Sequence, residues 1–206
     1  CAMIPMTVEQ LYDKLCSKTF QDTENGDLFY NFYLYLYPCD KEYQMRNQIA
    51  EIKESIKRPR NNVDVLTLDI FEEFCRFMEK QSFGKWPSLL QHMLEKDKKM
   101  PANVTTALFQ KANSDQFMEY IHNRIMEHVS KIDDGFIRPY VFMYGIGNIY
   151  PYLRTSSFLN RYEKYNRSNR YKIILFYPGD ADGSSFKLFG TLDDHHTYRA
   201  IVLMNE

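Results

Sequence analysis

Cysteine is scarce and scattered in this chain, with Cys1, Cys16, Cys39 and Cys75 forming no CxxC pair. A secreted disulfide scaffold would be denser, and a zinc site would show paired ligands. Reduced thiols in the cytoplasm are therefore expected. No apolar run approaches the roughly 18 residues of a membrane span, and no charged-then-apolar leader is visible. An excess of one charge is missing too, since 26 Lys and Arg stand against 27 Asp and Glu. The chain has no general drive toward nucleic acid or acidic lipid, because such binding rests on surplus Lys and Arg. Repeats and low-complexity tracts are absent as well.

Aromatic residues are what the chain has in plenty: 16 Tyr and 15 Phe against one Trp. Its 206 residues fit one domain, taken as 3–206, and can bury a substantial core. Thr7 with Gln10 reads as a capping box before a helix carrying Leu11 and Leu15. The run from Phe29 to Tyr37 is continuously apolar, as a strand covered on both faces should be, and Pro38 stops it. Asp40 is expected to cap a helix with Met45, Ile49, Ile52 and Ile56 on one stripe, closed by Pro59. A second strand, Val63 to Leu68, leads to Asp69 with Glu72 as the cap of a helix. Ile70, Phe71, Phe74, Cys75 and Met78 form that helix's expected buried face, and the pair Glu72-Glu73 its solvated one.

From Trp86 to Ile132 the pattern is wholly helical, with starts at Pro87, Pro101 and Ser114. We read 86–132 as a helical insertion. Phe117, Ile121, Ile125, His128 and Ile132 make the stripe of its last helix, and Asp133-Asp134-Gly135 a turn. A third strand spans Arg138 to Tyr144 and enters Gly145-Ile146-Gly147-Asn148, then a helix from about Ile149 to Tyr165. The fourth strand, Tyr171 to Tyr177, is expected to end at Pro178. The runs Ser185 to Phe189 and Tyr198 to Met204 read as an antiparallel hairpin. The fold expected is three-layer α/β: a mainly parallel sheet flanked by helices, with that hairpin and the insertion added.

In such sheets the loops leaving the strands' C-terminal ends share one rim, where ligands usually bind. Asp40, Asp69, Gly145 to Asn148, and Asp180 to Gly183 should line it. Glycines at a helix start can cradle a phosphate. However, the turn lacks the third glycine of a dinucleotide fingerprint, and no GxxxxGK[ST] occurs, so a tight turn needing positive φ is the preferred reading. Arg154, about one turn into the following helix, could hold a phosphate or carboxylate, or pair with Asp180 or Asp182.

Asp193-Asp194-His195-His196 reads as a solvated turn rather than a metal site, because neighbours on a strand point to opposite faces. Arg161, Lys164, Arg167 and Arg170 among Tyr162, Tyr165 and Tyr171 could meet nucleic acid by charge and stacking, although an exposed helix end is the plainer account. Ser156, Ser157, Ser184 and Ser185 lie in no nucleophile elbow, and Cys39 has no assignable histidine. The candidate ligand or partner edge is thus Gly145, Gly147, Asn148, Arg154, Gly179, Asp180 and Asp182. No catalytic residue, metal or cofactor is assigned, and a non-enzyme is expected.

The C-terminal third also carries a resemblance. Tyr144-Gly145-Ile146-Gly147-Asn148-Ile149-Tyr150-Pro151-Tyr152-Leu153-Arg154, then Phe158-Leu159-Asn160, resembles the block G-V-G-x-[VI]-Y-P-x-L-R and L-L-N of the BrxB family of bacteriophage-exclusion (BREX) proteins. Phe176-Tyr177-Pro178-Gly179, Asp182-Gly183, Leu188-Phe189-Gly190 and Tyr198-Arg199-Ala200 are similar to that family's second block. The match spans about Tyr140 to Leu203. Thr155-Ser156 departs from the family's common Ser-His, and Asp193 to Arg199 from its D-D-x-Y-Y-R turn. The resemblance implies a cytoplasmic, non-enzymatic adaptor in an anti-phage complex, with the alkaline-phosphatase-like PglZ protein as preferred partner and other BREX components as further ones. A membrane partner is not expected, from the missing apolar run, and direct nucleic-acid binding is a minor reading, from the balanced charge. A degenerate nucleotide-binding domain using Gly145 to Asn148 is the alternative.

Overall fold

The computed structural model describes residues 4–22, 31–81, 86–165, 170–182, 185–188, 192–194 and 200–205, with backbone only from 180 to 194. In chain order the elements are α1 (Val8–Cys16), α2 (Lys18–Gln21), β1 (Phe32–Tyr37), α3 (Glu42–Ile56), β2 (Val63–Asp69) and α4 (Ile70–Lys80). Then come α5 (Leu89–Asp97), α6 (Pro101–Ala112), α7 (Asp115–Ser130), β3 (Arg138–Tyr144) and α8 (Thr155–Tyr162). The chain finishes with β4 (Lys172–Asp182), β5 (Ser185–Leu188), β6 (Leu192–Asp194) and β7 (Ile201–Val202).

Five strands form a parallel sheet in the order β2-β3-β4-β1-β7. β1 is buried at all six positions, as its unbroken apolar run requires. Tyr33, Tyr35 and Tyr37 face Leu11 and Leu15 of α1 and the Met45, Ile49, Ile52 and Ile56 stripe of α3. Phe32 and Leu34 face α4, α7 and α8 on the other side. These two apolar clusters give the three layers of the expected α/β fold. The Thr7–Gln10 capping box is formed with both bonds in place. Phe29 and Tyr30, the start of the expected first strand, lie outside the described residues.

The helical block shares the domain's core. Phe117 of α7 meets Phe74 and Phe77 of α4 at ring-centroid distances of 5.2 and 5.4 Å. Phe117, Met118, Ile121, Ile125 and Val129 all belong to the cluster that holds β3 and β4. Beneath that aromatic contact lies Glu73, with 4% of its side chain exposed, bound to Arg124 of α7 at 3.3 Å and to Arg76 at 3.3 Å. The expectation of a solvated Glu73 is therefore wrong. On an amphipathic helix a carboxylate at the core boundary can be buried once a guanidinium from the next helix reaches it. Phe71 is correspondingly exposed, Cys75 is half-buried, and Phe77 supplies the buried ring instead. His128 leaves the apolar stripe to bond Asp64 of β2.

Four further expectations need correction. Asp40 is no cap, because Pro38 opens a short 3-10 turn over Cys39–Lys41 and the helix begins at Glu42. No helix starts near Ile149; a 3-10 turn over Ile146–Ile149 ends at Tyr150, whose backbone is extended (φ −57, ψ 136) ahead of Pro151. Arg154 consequently sits at the N-cap of α8, exposed and extended, rather than one turn inside a helix. Pro178 does not end β4. The ladder to β3 stops at Leu175, Pro178 pairs with Tyr37 on the other side, and Gly179–Asp182 continue into antiparallel pairing with β5. A residue without an N–H is tolerated there because the ladder on its β3 side is already finished. Finally, β5 pairs with β6 rather than with the last run, and β7 adds a parallel strand beside β1.

Burial holds the core tyrosines in the neutral form: Tyr35 is pushed up to about 12 by burial and then by Glu9, while Tyr37, Tyr140 and Tyr162 are raised further, each mainly by burial. The unfolded chain ionises its phenols near the ordinary value of about 10. The stabilisation is therefore complete below that pH and is lost as pH rises above it. We expect cooperative alkaline unfolding, with delayed tyrosinate absorbance appearing together with loss of far-ultraviolet circular dichroism. Full ionisation near pH 10 with the dichroism intact would contradict this packing.

Candidate functional site

At the C-terminal rim, β2 runs without a loop into α4, so Asp69 is both the last strand residue and the helix cap. Its Oδ1 accepts the N–H groups of Phe71 at 3.0 Å and Glu72 at 3.4 Å, satisfying the first turn of α4. Its Oδ2 accepts from Nη1 of Arg46, which reaches across from α3 at 2.8 Å. Nε of Arg46 donates to Oε1 of Glu42 one turn earlier, at 3.1 Å. Oε2 of Glu42 accepts the Tyr37 hydroxyl from the end of β1. The Arg46 guanidinium also lies 5.1 Å from the ring centroid of Tyr144, which stands directly opposite Asp69 in the β2–β3 register.

Gly145 follows Tyr144 with φ +76. A Cβ there would lie 2.3 Å from Oδ1 of Asp69 and 3.3 Å from Nη2 of Arg46. Its glycine serves both conformation and close approach. The expected positive-φ turn is thus found at Gly145, and at neither Gly147 nor Asn148. Asp69 has 6% of its side chain exposed, and its oxygens are taken by two amides and one guanidinium. Burial works against the Arg46 charge, but the Asp69 and Glu42 carboxylates outweigh it and raise its pKa. Burial, then the bond to Glu42, keeps the Tyr37 phenol protonated. The chain's own carboxylate and guanidinium thus lie close against Gly145.

Of the sequence-derived candidates, Gly145 joins this network, whereas Gly147 and Asn148 lie on the following 3-10 turn, half-buried and exposed. Gly179 is buried where β4 leaves the parallel sheet, and Asp180 and Asp182 form rungs of the hairpin beyond it. Pairing of Arg154 with Asp180 or Asp182 falls outside the described side chains. His195 and His196 also lie outside the described residues, among which no cluster of three metal-ligating side chains occurs. Tyr162 and Tyr171 are buried, Tyr165 stacks on His122 at 5.2 Å, and Lys164 pairs with Asp115 at 3.0 Å. Those rings are core or helix-packing groups, so they form no base-stacking surface. Arg46, Glu42, Tyr37 and Tyr144 escaped the sequence reading. The i, i+4 spacing of Glu42 and Arg46 was a visible signal, but their target, 23 residues beyond Arg46, was not.

Around this network the surface carries aromatic rings. Tyr43, in the first turn of α3, is 81% exposed, and Phe71, in the first turn of α4, is 41% exposed. Gly145→Ala should destabilise the fold by roughly 3 kcal/mol, from positive φ plus collision with Asp69. Arg46→Ala should cost about 2–3 kcal/mol by leaving a buried carboxylate short of its charged partner, with Arg46→Lys in between. Urea unfolding checks both, and a Gly145→Ala variant of wild-type stability would refute the close approach.

Comparison with known proteins agrees with the sequence motifs. The family model described as BREX protein BrxB matches residues 66–203. A BREX protein BrxB of Bacillus cereus (strain H3081.97) is 22% identical over 204 residues, covering 97% of this chain and 96% of that protein. No solved structure matches. Among the described residues no helix is long and apolar enough to cross a membrane. The chain belongs to the BrxB family of bacteriophage-exclusion proteins.

Proposed function

We propose that this component of an antiviral BREX system acts as a non-enzymatic adaptor that binds the PglZ alkaline-phosphatase-like protein. One observation carries the reading: at the rim where α/β sheets place their ligands, Glu42, Arg46, Asp69 and Tyr37 are engaged with one another, while two aromatic rings stand exposed beside them. Asp69, Glu42 and Tyr37 are held by neighbours and are not poised against a reactive position. The Asp69 oxygens already accept two amides and a guanidinium, which leaves little of that carboxylate turned toward a substrate. Arg46 is held in place by the two carboxylates, Glu42 and Asp69.

Exposed Tyr43 and Phe71 suit a different task. Rings on rigid helix starts offer large contact area at small entropic cost, and binding energy concentrates on such residues. The lock beneath them fixes α3 relative to α4, so the two rings are presented in a set geometry. A preorganised surface binds more tightly than one that must first be ordered.

Size-exclusion chromatography of the purified chain mixed with PglZ tests the reading. Co-elution is expected, and Tyr43→Ala with Phe71→Ala should weaken it by roughly tenfold or more while leaving the thermal midpoint unchanged. Separate elution of the two wild-type proteins would sink the proposal.

A further inference from the structure

At the edge of the sheet opposite the rim, where β3 and β4 begin, three cations face one small cleft. Arg138, Arg170 and Lys172 line it, with Gln21, Tyr140 and Tyr171. The strand register brings them together. Tyr140 stands opposite Lys172, so two residues earlier Arg138 stands beside Arg170, and the period of two turns all three cations to the face of Tyr140. Neighbouring strands lie roughly 4.8 Å apart, and like charges set side by side across them repel. No carboxylate is among the lining residues. Arg138 is half-buried and enters no ion pair among the described residues.

The walls of the cleft are held by the chain itself. The Lys172 ammonium donates to the carbonyl of Phe20 and lies 4.1 Å from that residue's ring centroid and 5.4 Å from that of Tyr33. These three groups are neutral, so they fix the position of the ammonium without cancelling its charge. The Leu15 carbonyl accepts from Nε2 of Gln21 at 3.0 Å and from the Tyr140 hydroxyl at 2.7 Å, which sets α2 against the start of β3. The side formed by Arg170 is open, since that residue is exposed. An anion entering there meets the three cations at the mouth of the cleft.

We infer that this cleft binds the phosphate monoester group of a small molecule, with Arg138 and Arg170 gripping its oxygens and Lys172 supplying a fixed third charge. A carboxylate brings one negative charge to three cations. A phosphate monoester brings about two, with three acceptor oxygens suited to guanidinium forks. A nucleic-acid strand fits less well, because Tyr140 and Tyr171 are buried and offer no ring to a base. The site goes beyond the adaptor reading and does not depend on it. Bound phosphate joins α2 to the starts of β3 and β4, and so stabilises the native chain.

Thermal unfolding of the full chain with inorganic phosphate, glycerol phosphate or acetate, at one ionic strength, tests the site. Both phosphates should raise the midpoint by roughly 3–5 °C at a tenfold excess over the dissociation constant, and acetate by much less. Arg138→Gln should abolish that rise and leave the phosphate-free midpoint unchanged or higher, because it removes a like-charge neighbour. Loss of an arginine with a purely structural role would lower it instead. If Arg138→Gln does not fold, Arg170→Gln reads the same loss. Arg154→Gln, at the rim, should keep the full rise. No rise, a rise equal in acetate, or one that survives Arg138→Gln overturns the inference, whatever Arg154→Gln does. Binding of single-stranded oligothymidylate with no response to either small phosphate overturns it too. None of these results bears on co-elution with PglZ, so the two readings fail separately.

Discussion

The contact between Asp69 and Arg46 is the point at which the sheet and both helical layers are joined. Asp69 ends β2 and begins α4, Arg46 belongs to α3 on the opposite face, and Gly145 lies against the carboxylate from the end of β3. Three crossovers thus converge on one buried anion. Its burial is tolerable because each oxygen is engaged, in contrast to an isolated charge in an apolar interior. Removing any one member leaves the others short of a partner, and this interdependence makes the arrangement a lock rather than a set of separate bonds.

The same logic applies to the start of α4, where Asp69 lies against the glycine turn. A helix start beside a glycine turn attracts an anion whichever source supplies it. Here the source is internal, and the geometry that would welcome a phosphate serves to order the fold. The surface beside it carries two exposed rings, Tyr43 and Phe71. Glu73, held by Arg124 in a similar way, extends the pattern to the junction of α4 and α7. At both junctions buried charge joins elements.

How much of this was legible in the sequence follows from the range of the forces involved. β3 was delimited correctly, Arg138 to Tyr144, because an apolar run ended by a positive-φ glycine is a local signal. The caps at Thr7, Asp69, Ser88 and Ser114 span three or four residues and were mostly visible for the same reason. Pro178 misled because its effect depends on which neighbours β4 has at that point, and no local pattern states that. β7 misled likewise: two residues beside β1 are paired by their position in the sheet and not by their own periodicity. Of the rim, the glycine and the aspartate were foreseen as edge positions, whereas the guanidinium that unites them comes from a helix on the far face.

The position of β1 has a consequence for how the chain matures. Its two neighbours are β4 and β7, so Phe32 must wait for Ile173 and Tyr33 for Ile201. A strand of alternating tyrosine and leucine leaves the ribosome long before the strands that flank it. Until then α1 and α3 alone shelter its rings on one side. Such late pairing makes for slow folding and a prolonged risk of aggregation. Production alongside a companion protein that shields this segment would then matter for yield as much as for assembly.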